Sequence, residues 1–209
     1  MMTRALRLAC KGLFTCAPNP AVGCVIAQGD VIVGEGWHVR AGCAHAEVEA
    51  LSKAGTQSLG ATAYVTLEPC NHQGRTGPCS QALINAGIKK VFFASADPSA
   101  KAMGGAQALQ AAGVEVAFGL YQARAEQLNP GFYKQALSGL PYVRAKIAVS
   151  LDGRTAMADG TSQWITSPQA RFVGQQLRAQ SGAIITGIGS ILTDDSQLIV
   201  RPNDWPVAY

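Results

Sequence analysis

Apolar residues recur along this chain in two periods, and each change of period marks a new element. Thr3 to Leu13 carries Leu and Ala at helical spacing and reads as an amphipathic first helix. Ala21 to Gln28 and Val31 to Gly36 are β-rich runs, with Gln28-Gly29-Asp30 between them as a hairpin signal. Ala44 to Ala54 predicts a helix, Thr62 to Leu67 a strand, Ser80 to Ala86 a helix closed by Gly87, and Lys89 to Ala94 a strand. Gly105 to Ala112 predicts a helix closed by Gly113, and Val114 to Phe118 a strand. Tyr121 to Leu137 is mostly helical, with Asn129-Pro130-Gly131 as an internal break. This alternation predicts α/β layering: a mainly parallel sheet of five strands with helices on both faces, over residues 1 to about 140. There is no internal repeat and no low-complexity segment.

Ser138-Gly-Leu-Pro141 is the best boundary signal, and it divides the chain into 1–141 and 142–209. The pattern restarts with a strand, Tyr142 to Val149, and a turn at Asp152-Gly153. A Ser-rich loop, a helix from Pro168 to Ala179 and a strand from Ala183 to Thr186 follow. The remainder is short for a domain. The expectation is the N-terminal part of a second domain, incomplete in this chain.

Composition narrows the class. The formal charge is +4, from 17 basic and 13 acidic residues, and no basic run interleaved with aromatics occurs. Nucleic acid is therefore not favoured as a partner, while small anionic ligands are compatible with the balance. No apolar run approaches a membrane span, and the first residues lack the long apolar stretch of a secretory signal. A cytoplasmic enzyme is expected. In that compartment the six cysteines point to metal binding or free thiols rather than disulfides. Only Cys70 and Cys79 stand in a ligand-like context, although Cys43 lies two residues before His45.

The chemistry concentrates in His45-Ala46-Glu47, Pro69-Cys70 and Cys79. One imidazole and two thiolates leave the fourth position of a tetrahedral zinc open, which separates a catalytic site from a closed structural one. Water held there loses its proton near neutral pH, and Glu47 is close enough in sequence to carry that proton. A structural zinc with His72 as fourth ligand, or a pair of buried cysteines and no metal, are the plainer readings of the same residues. H-x-E with P-C-x-x-C is the zinc-deaminase pattern. Here eight residues, Asn71 to Pro78, separate the cysteines instead of two.

With these stretches the chain resembles the bifunctional riboflavin-biosynthesis family, in which a pyrimidine deaminase is fused to a uracil reductase. The matching runs are Pro18-Asn-Pro-Ala-Val-Gly-Cys24, Gly34-Glu-Gly-Trp-His38, His45-Ala-Glu47, and the fourteen residues from Thr66 to Cys79 with their long cysteine gap. Further along they are Lys146-Ile-Ala-Val-Ser-Leu-Asp-Gly-Arg154, Ser162-Gln-Trp-Ile-Thr166 and Leu192-Thr-Asp-Asp195. Ser196 departs from the Pro usual in the family. The resemblance implies a cytidine-deaminase-like α/β/α sandwich, followed by the start of a dihydrofolate-reductase-like α/β domain. It implies zinc held by His45, Cys70 and Cys79, with Glu47 as the proton carrier in deamination of 2,5-diamino-6-ribosylamino-4(3H)-pyrimidinone 5′-phosphate. Asn19, His38, His72 and Arg75 are the implied contacts to that substrate, Arg75 through the phosphate.

For the second domain the resemblance implies NADPH-dependent reduction of the ribosyl side chain to ribityl. Lys146, Ala148, Trp164, Ser190 and Asp194 would face the cofactor. Ser162, Arg178, Leu198 and Arg201 would face the substrate. A homo-oligomer of two or four chains is also implied. Two rival readings stay open at this level: a nucleotide or tRNA adenosine deaminase on the same zinc core, and a non-catalytic binding module that keeps the fold.

Overall fold

A computed structural model describes residues 1–73, 77–100 and 102–201. The chain divides into two compact units, Met1–Tyr142 and Val143–Tyr209.

In the first unit, helix α1 (Met2–Cys10) precedes strands β1 (Gly23–Gln28) and β2 (Val31–Trp37). Helix α2 (Ala46–Ala54) leads to β3 (Thr62–Leu67), and α3 (Cys79–Asn85) to β4 (Lys90–Ser95). Helix α4 (Gly105–Ala111) leads to β5 (Glu115–Phe118), followed by α5 (Gln122–Leu128) and α6 (Pro130–Ser138). The five strands form one sheet in the order β2-β1-β3-β4-β5.

The sheet is mixed, which corrects the mainly parallel sheet expected. β1 is antiparallel to both β2 and β3, while β3, β4 and β5 run parallel. The reason is local. The tight turn at Gly29 (φ +56°) can join only antiparallel neighbours. Every later connection carries a helix, and helical crossovers return the chain parallel. The fold class itself is the α/β/α sandwich expected, as both faces of β1 show. Cys24 and Ile26 point into a core with Ala46, Ala50, Leu83 and Leu109 from α2, α3 and α4. Val25, between them, points the other way, onto Met2, Ala5 and Leu6 of α1 and Ala125 of α5.

Two helices come unusually close to the sheet. A Cβ on Gly36 would stand 2.2 Å from the Ala46 carbonyl oxygen, and one on Gly34 would stand 2.2 Å from that of Ala50. A Cβ on Gly23 would meet the Ala5 carbonyl oxygen at 2.0 Å. Glycine in β1 and β2 therefore sets the height of α1 and α2 above the strands.

The helical break expected at Asn129-Pro130-Gly131 falls at Asn129, where α5 ends and Pro130 opens α6. The missing N–H and fixed φ of proline suit the first position of a helix.

In the second unit, α7 (Pro168–Ala179) has the span expected, with Ser167 Oγ accepting the Ala170 N–H at 3.2 Å as N-cap. Helix α8 (Ile188–Asp194) follows. The strands expected at Tyr142–Val149 and Ala183–Thr186 do not form. A strand exists by pairing, and among the described residues neither segment has a ladder partner. Their apolar residues stand uncovered, Ile147 at 71% and Ile185 at 97% exposure. Sequence pattern records intrinsic preference, which cannot replace a neighbouring strand.

Gly36→Ala is expected to destabilise the first unit by about 1–3 kcal/mol, because backbone of α2 must move to admit the methyl. Thermal unfolding of the variant beside the parent chain checks this, and an unchanged Tm would contradict it.

Candidate metal centre and cleft

Three chain segments deliver the donors. His45 is the N-cap of α2, in extended backbone (φ −75°, ψ 162°), so its ring projects from the helix start. Cys70 follows β3 by three residues, in the loop that leaves the carboxyl end of the strand. Cys79 opens α3. The Ser80 N–H donates to the Cys70 carbonyl at 3.1 Å and draws the two cysteine segments together.

His45 Nδ1 lies 3.2 Å from Cys79 Sγ and 3.6 Å from Cys70 Sγ, and all three donor atoms fall within 4.8 Å of one another. Tetrahedral zinc with ordinary Zn–S and Zn–N bonds has edges of about 3.6 Å (N to S) and about 3.8 Å (S to S). The set therefore fits a zinc ion with little movement. The two thiols are coupled. Hydrogen bonds from Cys79 and His45 ease ionisation of Cys70, while the hydrogen bond that Cys79 gives to Cys70, together with burial, opposes ionisation of Cys79. A dication satisfies both thiolates at once.

The cluster lies in a cleft of about 590 Å³ whose walls include Pro18, Asn19, His38, Glu47, His72 and Phe132. Glu47, in the first turn of α2, is 3% exposed. Burial, reinforced by the charge on Cys70, pushes its carboxyl up to about 7.

His38 is also buried, and its two nitrogens are both engaged. One side, Nδ1, faces the Ala44 carbonyl at 3.0 Å; the other, Nε2, faces Asn19 Nδ2 at 3.0 Å. A carbonyl only accepts and an amide nitrogen only donates, so His38 is neutral with its proton on Nδ1. Burial lowers its pKa and keeps it so. The His38 ring meets the His45 ring edge-on, with centroids 5.4 Å apart. His72 is half-buried in the cleft, and among the described residues its Nδ1 has no hydrogen-bond partner. His72 is not among the clustered donors, so the closed four-ligand site weighed from the sequence is not what the described residues assemble. Arg75 lies outside the described residues.

Several cleft residues were not singled out from the sequence. Glu68 accepts the Ala106 N–H at 3.0 Å and the Asp97 N–H at 3.3 Å, tying the start of α4 to the loop after β4. Burial raises the pKa of Asp97, whose carboxylate accepts the Ser99 N–H at 2.8 Å. Gly105 is pressed against the same stretch, since a Cβ there would stand 1.7 Å from the Pro69 carbonyl oxygen. A signal was available. Ligands of open α/β sheets gather beyond the carboxyl ends of the strands, and Asp97 follows β4 as Cys70 follows β3.

The comparisons with known proteins agree with this geometry. A profile for the cytidine and deoxycytidylate deaminase zinc-binding region matches residues 1–95, and one for the RibD C-terminal domain matches residues 141–207. The riboflavin biosynthesis protein RibD of Escherichia coli strain K12 is 57% identical over 201 residues, which are 96% of this chain and 55% of that protein. The chain belongs to the RibD family. Solved structures of the family superpose on it. RibD of Acinetobacter baumannii, form 1, matches with TM-score 0.90 at 55% identity, over 96% of this chain and 56% of that one. The diaminohydroxyphosphoribosylaminopyrimidine deaminase/5-amino-6-(5-phosphoribosylamino)uracil reductase of Thermotoga maritima matches with TM-score 0.91 at 37% identity, over 96% of this chain and 58% of that one. The chain thus spans about half the length of the RibD relatives that it matches.

The second unit brings some of its singled-out residues together. Arg178 donates to the Gln197 carbonyl at 3.3 Å and the Ile199 carbonyl at 3.1 Å, bracketing Leu198. Buried Gln175, with its amide oxygen turned to the Arg201 guanidinium, accepts Nη2 at 2.9 Å. Trp164 lies under the Arg171 guanidinium, 4.4 Å from its carbon. Ser190 and Asp194 share one face of α8, four residues apart. Lys146 and Ser162 are exposed, and Ala148 is half-buried. Lys146 and Ala148 lie in irregular backbone, not on the strand expected.

One zinc per chain is expected to bind through this cluster, with affinity falling as pH is lowered, because the ligands must shed protons to bind. Replacing His45, Cys70 or Cys79 singly by Ala should abolish tight binding, whereas Cys43→Ala should not. Competition with a chromophoric chelator reads both results.

Proposed function

We propose that this chain carries the zinc-dependent deaminase of riboflavin biosynthesis, acting on 2,5-diamino-6-ribosylamino-4(3H)-pyrimidinone 5′-phosphate. The observation that carries the reading is a donor set that, among the described residues, numbers three, His45, Cys70 and Cys79, in a cleft with a buried carboxylate that is not one of them. When bound there, zinc acidifies a water and makes it a nucleophile near neutral pH. Glu47 would take the first proton of the attacking water and give it to the ring nitrogen as the new C–O bond forms. It would then take the second proton from the new hydroxyl and give it to the amino group, which leaves as ammonia as the C–N bond breaks and the carbonyl forms. A carboxylate suits this relay because it can hold the proton between steps. Burial excludes bulk water from Glu47 and so keeps the proton inside the site.

Asn19 orients the pyrimidine edge. Its Nδ2 is engaged by His38, which fixes the amide and leaves the orientation of Oδ1 determined. His38 acts here as a neutral acceptor, held in its tautomer by Ala44. His72 lines the cleft and would contact the substrate there. Arg75 takes the 5′-phosphate. Support for this substrate comes from the family membership, since the Thermotoga maritima relative bears that deaminase in its name.

The division of labour proposed is 1–141 for deamination and 142–209 for the first part of an NADPH-dependent reductase. It rests on the RibD C-terminal domain match. Lys146, Ala148, Trp164, Ser190 and Asp194 would hold NADPH, which supplies the hydride. Ser162, Arg178, Leu198 and Arg201 would hold the ribosyl substrate. The spacing of Ser190 and Asp194 on one face of α8 suits a shared ligand, and so does the Leu198 segment clamped by Arg178.

Glu47→Gln is expected to retain one zinc per chain and lose ammonia release by at least about 10²-fold, the contribution of a placed proton carrier. Ammonia release from the diaminopyrimidine ribosyl phosphate, with cytidine and deoxycytidylate as controls, tests the reading. Release from the first alone, abolished by chelation, is the expected result. Undiminished turnover in Glu47→Gln would remove Glu47 from the mechanism, and release from deoxycytidylate alone would replace the substrate.

A further inference from the structure

Helix α6 has no buried residue, so no apolar core holds it in place. Polar ties hold it instead. The Asn129 side chain, at its start, accepts the Ala21 N–H at 2.7 Å and donates to the Ala21 carbonyl at 3.0 Å. One turn on, Tyr133 OH donates to Ser95 Oγ at 2.8 Å, and Ser95 Oγ donates in turn to Glu126 Oε1 at 3.0 Å. Ala21 stands between Pro20 and Val22, which line the cleft, and Ser95 stands two residues before Asp97, which lines it too. The first turn of α6 is thus a strap fixed at both ends to two segments of the cleft wall. Phe132 lies between those anchors, half-buried and in the cleft. Among the described lining residues it is the sole Phe, Tyr or Trp.

We infer that Phe132 is a specificity-determining contact for the deaminase substrate, its ring stacking on the heteroaromatic pyrimidine. This rests on the deaminase reading proposed above. The physical ground is the mismatch between how α6 is held and what it presents. Hydrogen bonds fix a helix that has no fully buried residue, and they place one benzene ring in a cleft whose other described walls are imidazole, aliphatic and polar groups. An aromatic side chain pays little conformational entropy to hold a planar ring. Stacking also tolerates the crowded polar edge of a diaminopyrimidine, because it uses only the π face. Phe132 binds the ring in the ground state and the transition state alike, so its loss acts on KM more than on kcat.

The test uses the zinc-loaded chain and ammonia release from the diaminopyrimidine ribosyl phosphate, with Phe132→Ala, Phe132→Leu and Phe132→Tyr. Zinc content and Tm should match the parent chain in all three. KM should rise about tenfold or more in Phe132→Ala and Phe132→Leu, the order expected for one lost stacking contact, while kcat stays within about threefold. Phe132→Tyr keeps the ring and should keep the KM. A parental KM in Phe132→Leu would overturn the inference, since apolar volume would then suffice. Loss of zinc or of Tm in both Phe132→Ala and Phe132→Leu would overturn it as well and make the residue structural. A parent chain that releases no ammonia would overturn the deaminase reading and this inference with it. Parental turnover with an unaffected Phe132→Leu would sink the inference alone.

Discussion

The Ala46 carbonyl oxygen of α2 stands 2.2 Å from where a Cβ on Gly36 would lie. That approach of helix backbone to strand backbone decides the height of α2 over the sheet. His45 caps α2 and Glu47 occupies its first turn, so the same approach decides where an imidazole and a buried carboxylate stand. A similar contact acts on the other side of the site. Gly105 lets the start of α4 press on the Pro69 carbonyl, one residue from Cys70. The metal centre is thus built by glycines that are not part of it. Close packing transmits a small displacement, because an interior at native density has no slack to absorb it.

The donor cluster uses this precision economically. Two donors sit at helix starts and the third in the loop after β3, where backbone is free to turn. Ser80 joins the cysteine segments through the Cys70 carbonyl, and Glu68 joins the loop after β3 to α4 and to the Asp97 loop. A buried carboxylate with two backbone N–H partners replaces the side-chain cap that Gly104 cannot supply to α4. Each of these groups acts at one remove from the His45, Cys70 and Cys79 donors, as supporting shells of metal sites do.

The two units differ in how their elements are completed. In the first, every strand finds a neighbour and both sheet faces are covered, so the pattern of apolar residues becomes structure directly. In the second, α7 forms with its Ser167 cap, because a helix satisfies its own backbone. The β-rich stretches around Ile147 and Ile185 do not form strands among the described residues, since ladder bonds must come from another segment.

Elements and donors were legible in the sequence for a common reason: both depend on local spacing. Helix and strand periods, the Gly87 and Gly113 stops and the Asn129 break are written in consecutive residues. So are His45-Ala46-Glu47 and the Pro69-Cys70 pair. The β1–β2 hairpin was legible, but the direction of β1 beside β3 was not, because that antiparallel placement depends on where α2 carries the chain. Nor was the meeting of Glu68 with the Asp97 loop, or of Phe132 with the donor cleft, legible, since Phe132 lies more than fifty residues beyond Cys79 in the chain. Their meeting is decided by helix-to-sheet packing at glycines and by the polar ties of α6. Such contacts leave no period in a sequence, because each joins residues whose separation along the chain is arbitrary.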